Sequence, residues 1–270
     1  MQKALTAGAD AVVLDLEDSV APPDKVSARG EVARVLASIG PTGGREVHVR
    51  INRGPGGPDL DDLAAVTVPG LTGIRLPKVD SWEEIRAVAA ALDVLERSAG
   101  MAPGGVLLYP SIETAAAALA AAELAAAPRV ARLVFGATDF LADISAPGAV
   151  DGPATVVARG TLVLASRAAG IGAPIDAVHP ALDDEEGLRR GAQFARELGF
   201  FGKSVIHPRQ IAVVHQAFAP SADQLVEARR VLAHVEAHGE GATTLDGKMI
   251  DAAVVARARR LVAMAEGPDA

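Results

Sequence analysis

Residues 12–20 read VVLDLEDSV: the apolar Val12, Val13 and Leu14 lead into Asp15, Glu17 and Asp18, three carboxylates within four positions. A short apolar run rich in β-branched residues marks a strand buried on both faces, as in a parallel sheet covered by helices. Crowding carboxylates at the end of such a strand costs desolvation and like-charge repulsion, unless cations or a ligand meet them there. What gathers at the ends of the other strands therefore matters as much as this one.

The rest of the chain repeats the pattern. The runs AVVLDLE, EVHVRIN, GIRLPKV, GVLLYPSIE, RLVFGATDF, GIGAPIDAV and KSVIHP begin near residues 11, 46, 73, 105, 132, 171 and 203, each followed by a longer helical pattern. Gaps of 27 to 39 residues between these starts are those of successive βα units in a (β/α)8 TIM barrel, where about 250 residues make eight. Seven strands are visible. The opening MQKALTAGADAV reads as a helix with Gly8 near its end, so the predicted α/β fold is a TIM barrel lacking its first strand, over residues 1–218. Residues 219–270 read as a C-terminal helical extension, a lid or arm. It runs through SADQLVEARRVLAHVEA, the glycine-broken HGEGATTLDGKMID and the helix AAVVARARRLVAMAE.

Bulk properties narrow the chemistry. The 270 residues are 50% hydrophobic, enough for a large core, and carry a formal charge of −8. That charge argues against a general nucleic-acid binder, which needs clustered Lys and Arg against the phosphates. The absence of cysteine removes disulfides, thiolate metal sites and a cysteine nucleophile. The alanine-rich stretch at 115–127 carries Glu123 and is closed by Pro128, so it reads as a helix rather than a membrane span. With no charged and apolar leader pattern at the N-terminus, the expected location is cytoplasmic.

In a parallel barrel the catalytic mouth lies at the carboxyl ends of the strands. Those ends carry Glu17 and Asp18, Arg50 and Asn52, Lys78, Glu113, Asp139, Asp176 and His207. Any one of them is explained by a strand leaving the core and meeting solvent, but the explanation weakens as the rule repeats around the barrel. Glu113 and Asp139 end neighbouring strands about one βα repeat apart. Two carboxylates, with the remaining positions left to water and substrate, are a common way to hold Mg²⁺. Without a metal the two would repel, and one would tend to keep its proton. Glu17 and Asp18 suit a supporting shell that accepts hydrogen bonds from metal-bound water.

The motifs DAVVLDLEDSV, VRIN, LPKV, PSIETA, VFGATDF, IDAV, GKSVIHPRQI and LDGKMID occur in this order. Together they resemble the citrate lyase β-subunit-like enzymes, a group that includes malyl-CoA, β-methylmalyl-CoA and citramalyl-CoA lyases and is similar to the HpcH/HpaI aldolases. The resemblance spans roughly residues 4 to 262, and eight motifs in register are far more specific than any one. It implies a Mg²⁺-dependent carbon–carbon lyase that cleaves a 3-hydroxyacyl thioester into an acyl-CoA and a 2-oxo acid. It also implies a homotrimer in which the lid is donated to a neighbouring subunit. By the same resemblance Glu113 and Asp139 are the metal ligands, Arg50 contacts the thioester and substrate oxygens, and Glu17 and Asp18 surround the metal's water. Lys78 stands beside Arg50 on the cofactor side, and Asp251 of KMID is the lid acid/base. The family's first strand, with its RSxLFVPG-like segment, has no counterpart ahead of Met1.

Other readings compete. Lys78 at a strand end suits Schiff-base chemistry as in metal-independent aldolases, or else a salt bridge to Glu17. The chain also fits a citryl-thioester lyase subunit of a larger complex, or a non-catalytic thioester-binding relative. His234 and His238 have metal-pair spacing without a nearby third ligand, and His207 suits either the mouth or a buried hydrogen bond. RGPGGPD, residues 53–59, lacks the features of a P-loop and reads as a mobile loop.

Overall fold

Each of the seven apolar runs yields a strand: β1 (Ala11–Asp15), β2 (Glu46–Arg50), β5 (Gly73–Leu76), β6 (Leu107–Ile112), β7 (Val134–Phe135), β8 (Ile175–Asp176) and β9 (Gly202–Lys203). A short ribbon, β3 (Arg53–Gly54) with β4 (Gly57–Pro58), lies between the second and third of them. The structure is a computed structural model that describes residues 2–39, 45–239 and 241–266. It divides into two compact units, residues 1–214 and 215–270.

In the first unit all seven strands pair in parallel, in the order β1-β2-β5-β6-β7-β8-β9. The sheet curls as a TIM-barrel-type half-barrel in which β1 and β9 are the two ends. Parallel pairing follows from the helices that carry the chain back between strands, among them Lys25–Ile39, Trp82–Ser98, Val156–Ala168 and Glu185–Leu198. Alternate residues divide the strands between two faces. Val12, Leu14, Val47, Val49, Ile74, Leu76 and Leu108 form one face, none more than 5% exposed. The helices return their own apolar stripes, such as Ile85, Val88 and Leu92 on Trp82–Ser98. Ser81 caps that helix by accepting from the Glu84 N–H. Asp15, His48, Arg50, Arg75 and Tyr109 share the other face, inside the curl. No helix among the described residues is long and apolar enough to cross a membrane.

In the second unit the helices Ala222–His238 and Ala252–Glu266 enclose a small core of Ala228, Val231, Val235, Ile250, Val255 and Ala258. The first helix begins with a Ser221–Gln224 capping box. The stretch read as merely glycine-broken is a hairpin, β10 (Thr243–Leu245) against β11 (Lys248–Ile250). Its two-residue turn, Asp246-Gly247, has positive φ at both positions, 49° and 77°, the geometry for which Asp-Gly is preferred.

Candidate active site

Arg50 and Asp15 are register partners on β2 and β1, so their side chains stand together inside the curl. Arg50 forks onto Asp15, with Nε donating to Oδ1 at 2.7 Å and Nη2 to Oδ2 at 2.6 Å. Its Nη1 reaches Glu17 Oε2 at 2.9 Å and lies 3.7 Å from Asp18 Oδ2. Asp15 also accepts from the backbone of Glu17 and Ser19 and from the Ser19 hydroxyl, which folds the DLEDS turn around it. Burial opposes ionisation of Asp15, but the Arg50, Ser19 and Glu17 donors outweigh it and hold its pKa at about 2. Asp15, which the sequence reading left without a role, is thus the residue that orients Arg50. Lys25 ties the same turn to β2 by donating to the carbonyls of Leu16 and Glu17 and to Asn52 Oδ1.

Lys78 joins the acids from the third parallel strand. It follows β5 with φ 50°, a left-handed backbone that is uncommon outside glycine. In that conformation its N–H donates to Glu113 Oε2 at 3.1 Å while Nζ donates to Glu17 Oε1 at 3.1 Å. Burial works against the ammonium, but the hydrogen bond and charge of Glu17, with Asp18 and Asp139 behind, raise its pKa. A lysine held protonated in this way is a poor Schiff-base nucleophile, and the geometry favours the salt-bridge reading.

Glu113 follows β6 and is 6% exposed. Its space exists because residue 136 is glycine: a Cβ there would lie 2.3 Å from Glu113 Cγ and 3.0 Å from Oε1. Its partner Asp139 sits in the first turn of the helix Ala137–Asp143, exposed toward the mouth. Burial, then the charges of Asp139 and Glu17, push Glu113 up to about 7 against the weaker pull of Lys78 and Arg50. Five carboxylates, Asp15, Glu17, Asp18, Glu113 and Asp139, therefore meet two cations, Arg50 and Lys78. This excess of negative charge around a buried, proton-retaining acid suits a divalent cation. Among the described residues no group of three or more acid or histidine side chains is arranged to hold a metal alone. Water and substrate would have to complete the coordination of an ion on Glu113 and Asp139, which is how Mg²⁺ is usually held.

Other candidates lie elsewhere. Asp176 is fully buried and faces away from the curl, between Arg159 Nε at 2.8 Å and Lys203 Nζ at 2.6 Å, where it pins β8 and β9 to the helix Val156–Ala168. Asn52 is held by Asp62 and Lys25. His207 accepts from the Arg209 N–H as the cap of a short 3₁₀ turn. Arg53 of the RGPGGPD stretch is pinned by two 2.7 Å bonds to Glu84, and Asp59 caps the helix Leu60–Val66. In the second unit His234 and His238 stack at 4.3 Å, with His234 bonded to Thr243. There Asp251 caps its helix, Oδ1 accepting from the N–H groups of Ala253 and Val254 at 3.0 Å.

Comparison with known proteins identifies the family. The family model described as HpcH/HpaI aldolase/citrate lyase matches residues 1–208, and one described as a C–C bond lyase of the TIM-barrel fold matches 165–266. The citrate lyase subunit beta of Leuconostoc mesenteroides subsp. cremoris is 35% identical over 96% of this chain and 86% of its own length. A (3S)-malyl-CoA thioesterase of Cereibacter sphaeroides is 34% identical over 98% of this chain and 90% of its own. Protein CitE from Mycobacterium tuberculosis, in a crystal structure with magnesium, acetoacetate and coenzyme A, aligns with a TM-score of 0.79 and 34% identity. That alignment covers 99% of this chain and 93% of that one. The chain thus belongs to the HpcH/HpaI aldolase/citrate lyase family and is a carbon–carbon lyase on a TIM-barrel-type fold.

Proposed function

We propose that this enzyme cleaves a 3-hydroxyacyl thioester of the malyl-CoA, methylmalyl-CoA or citramalyl-CoA type into an acyl-CoA and a 2-oxo acid, with Mg²⁺ held by Glu113 and Asp139. The observation that carries the reading is the buried Glu113 carboxylate, which has one backbone donor and faces the charges of Asp139 and Glu17. Similarity to a malyl-CoA thioesterase and to a CitE structure containing magnesium and coenzyme A supports the substrate class and the metal.

Bound Mg²⁺ supplies Lewis acidity and a template for the carboxylate and neighbouring oxygen of the 2-oxo acid fragment. The chain's own side chains do the rest. Asp15 fixes the plane of Arg50. The 3.7 Å separation of Nη1 from Asp18 is too long for a hydrogen bond, so a donor remains for the thioester oxygen, where charge develops as the bond breaks. Lys78 ties Glu17 to Glu113 by donating to both, and Glu17 and Asp18 are left to accept from water in the mouth. Asp251, delivered from a neighbouring copy in a homotrimer, is the proposed acid/base: it takes the 3-hydroxyl proton as the carbon–carbon bond breaks and returns it to the enolate carbon. Its Oδ2 makes no hydrogen bond among the described residues, while Oδ1 is fixed by the helix cap.

A citryl-thioester lyase subunit acting within a larger complex is the second reading, favoured by the 35% identity to citrate lyase subunit beta. One assay separates the two: release of acetyl- or propionyl-CoA from malyl-, methylmalyl- and citramalyl-CoA, with Mg²⁺ or excess EDTA, for wild type and Asp139→Asn. Turnover lost with EDTA and with the substitution supports the metal lyase. Turnover that survives both overturns it, and a folded enzyme silent on all three substrates favours the complex subunit.

A further inference from the structure

Inside the curl, toward the amino ends of the strands, β2, β5 and β6 bring together a second charged cluster that the proposed lyase chemistry does not use. His48 is in register with Gly73, and Arg75 with Tyr109. Glycine at 73 lets the rings of His48 and Tyr109 close to 4.1 Å between centroids, since a Cβ there would lie 2.6 Å from each ring. Glu46 Oε2 accepts from Tyr109 Oη at 2.7 Å and meets His48 Nε2 at 2.8 Å, while Arg75 Nε donates to His48 Nδ1 at 3.2 Å. That last bond needs a lone pair on Nδ1. The ring proton therefore sits on Nε2, and the imidazole is neutral.

Arg75 consequently rests its cation on a neutral ring. It is 6% exposed, and among the described residues it has no carboxylate at ion-pair distance and no hydrogen bond from Nη1 or Nη2. Its guanidinium carbon lies 5.2 Å from the Tyr109 ring centroid. Arg132, just before β7, also lacks an acid partner among the described residues. It donates to the Ala173 carbonyl at 2.8 Å and stacks 3.7 Å over Phe201. Glu46 is the carboxylate whose charge reaches both guanidiniums, and its Oε2 is already shared by His48 and Tyr109. The adjacent sequence 40–44, GPTGG, adds no charged side chain. Burial pulls Arg75 down to about 10 and lowers Arg132 as well. Both behave as desolvated cations short of a counter-ion.

We propose that Arg75, with the charge of Arg132 behind it, binds a small oxyanion, a carboxylate or phosphate, inside the curl of the sheet. A planar guanidinium presents paired N–H donors that match two oxygens of such an anion. Arg75 is level with Arg50 and Asp15 as well as with Tyr109, but its Nε turns to His48, two residues nearer the amino ends of the strands, whereas Glu113 lies beyond the carboxyl end of β6.

Thermal unfolding of the full chain tests this, in EDTA at constant ionic strength, with sodium acetate or sodium phosphate replacing sodium chloride. Wild type, Arg75→Met, Arg132→Met and Asp139→Asn are compared. The wild-type Tm is expected to rise saturably with at least one anion, and the two arms separate carboxylate from phosphate. The rise should be lost in Arg75→Met, reduced in Arg132→Met and kept in Asp139→Asn. If Arg75→Met does not fold, Arg75→Lys replaces it: a point charge without the fork should move the half-maximal concentration up about tenfold. No saturable rise with either anion, or a rise kept in both arginine variants, overturns the proposal. So does a rise lost only in Asp139→Asn, which would place the anion at the mouth.

Discussion

Glu113→Gln removes a charge while keeping the shape of the side chain, so it isolates the energetic cost of the acid at the heart of the proposed metal site. In the wild type, burial and then the charges of Asp139 and Glu17 raise the Glu113 pKa from 4.5 to about 7. An acid whose folded pKa lies above its unfolded one holds its proton more tightly when folded. Its contribution to stability is present at low pH and lost as pH rises from 4.5 through 7. At 1.36 kcal/mol per pH unit, wild type should lose about 2–3 kcal/mol between pH 5 and pH 8 relative to Glu113→Gln in metal-free solution. His48 titrates in the same window with the opposite sign. Burial lowers its folded pKa, so it adds stability as pH rises toward 6.5. It is present in both proteins and cancels in the difference. Asp15 and Glu46, each held at about 2, are fully ionised in the folded state throughout this window. Urea unfolding with EDTA at the two pH values measures the difference. Adding Mg²⁺ at pH 8 should stabilise wild type and leave Glu113→Gln unmoved. A difference that stays flat between pH 5 and pH 8 would refute the account of Glu113 as a buried acid awaiting a cation.

Gly136→Ala places a methyl group 2.3 Å from Glu113 Cγ. It should cost about 1–3 kcal/mol in urea unfolding and, by displacing Glu113, raise the Mg²⁺ concentration needed for half-maximal turnover. Asp176→Asn leaves Arg159 and Lys203 buried without their shared carboxylate. It should destabilise the protein by about 3–5 kcal/mol while the KM of the remaining folded enzyme stays at the wild-type value. A changed KM without a stability loss would return Asp176 to the mouth.

The spacing of apolar runs was enough to anticipate the seven-stranded parallel sheet, because a buried strand followed by a returning helix leaves a pattern readable within some thirty residues. The same local rule located Glu17, Asp18, Arg50, Lys78, Glu113 and Asp139, since a polar residue just past a buried strand has few places to go but the mouth. The Asp246-Gly247 hairpin was equally legible in LDGK, from turn chemistry alone, yet the glycines around it obscured it.

What the sequence could not decide is which side of the sheet each polar residue takes. Side chains alternate along a strand, so one residue of offset moves a group from the curl to the helix layer. Asp15 falls inward and becomes the holder of Arg50, whereas Asp176 falls outward and becomes a buried structural ion pair. Arg75 reads in sequence like any polar residue within a strand. Only the register of β2, β5 and β6 sets it on a neutral His48, with no acid at ion-pair distance among the described residues. Composition and periodicity thus determined the fold class and most of the mouth. Pairing across strands, which joins residues distant in sequence, decided which charges are compensated and which still wait for a partner.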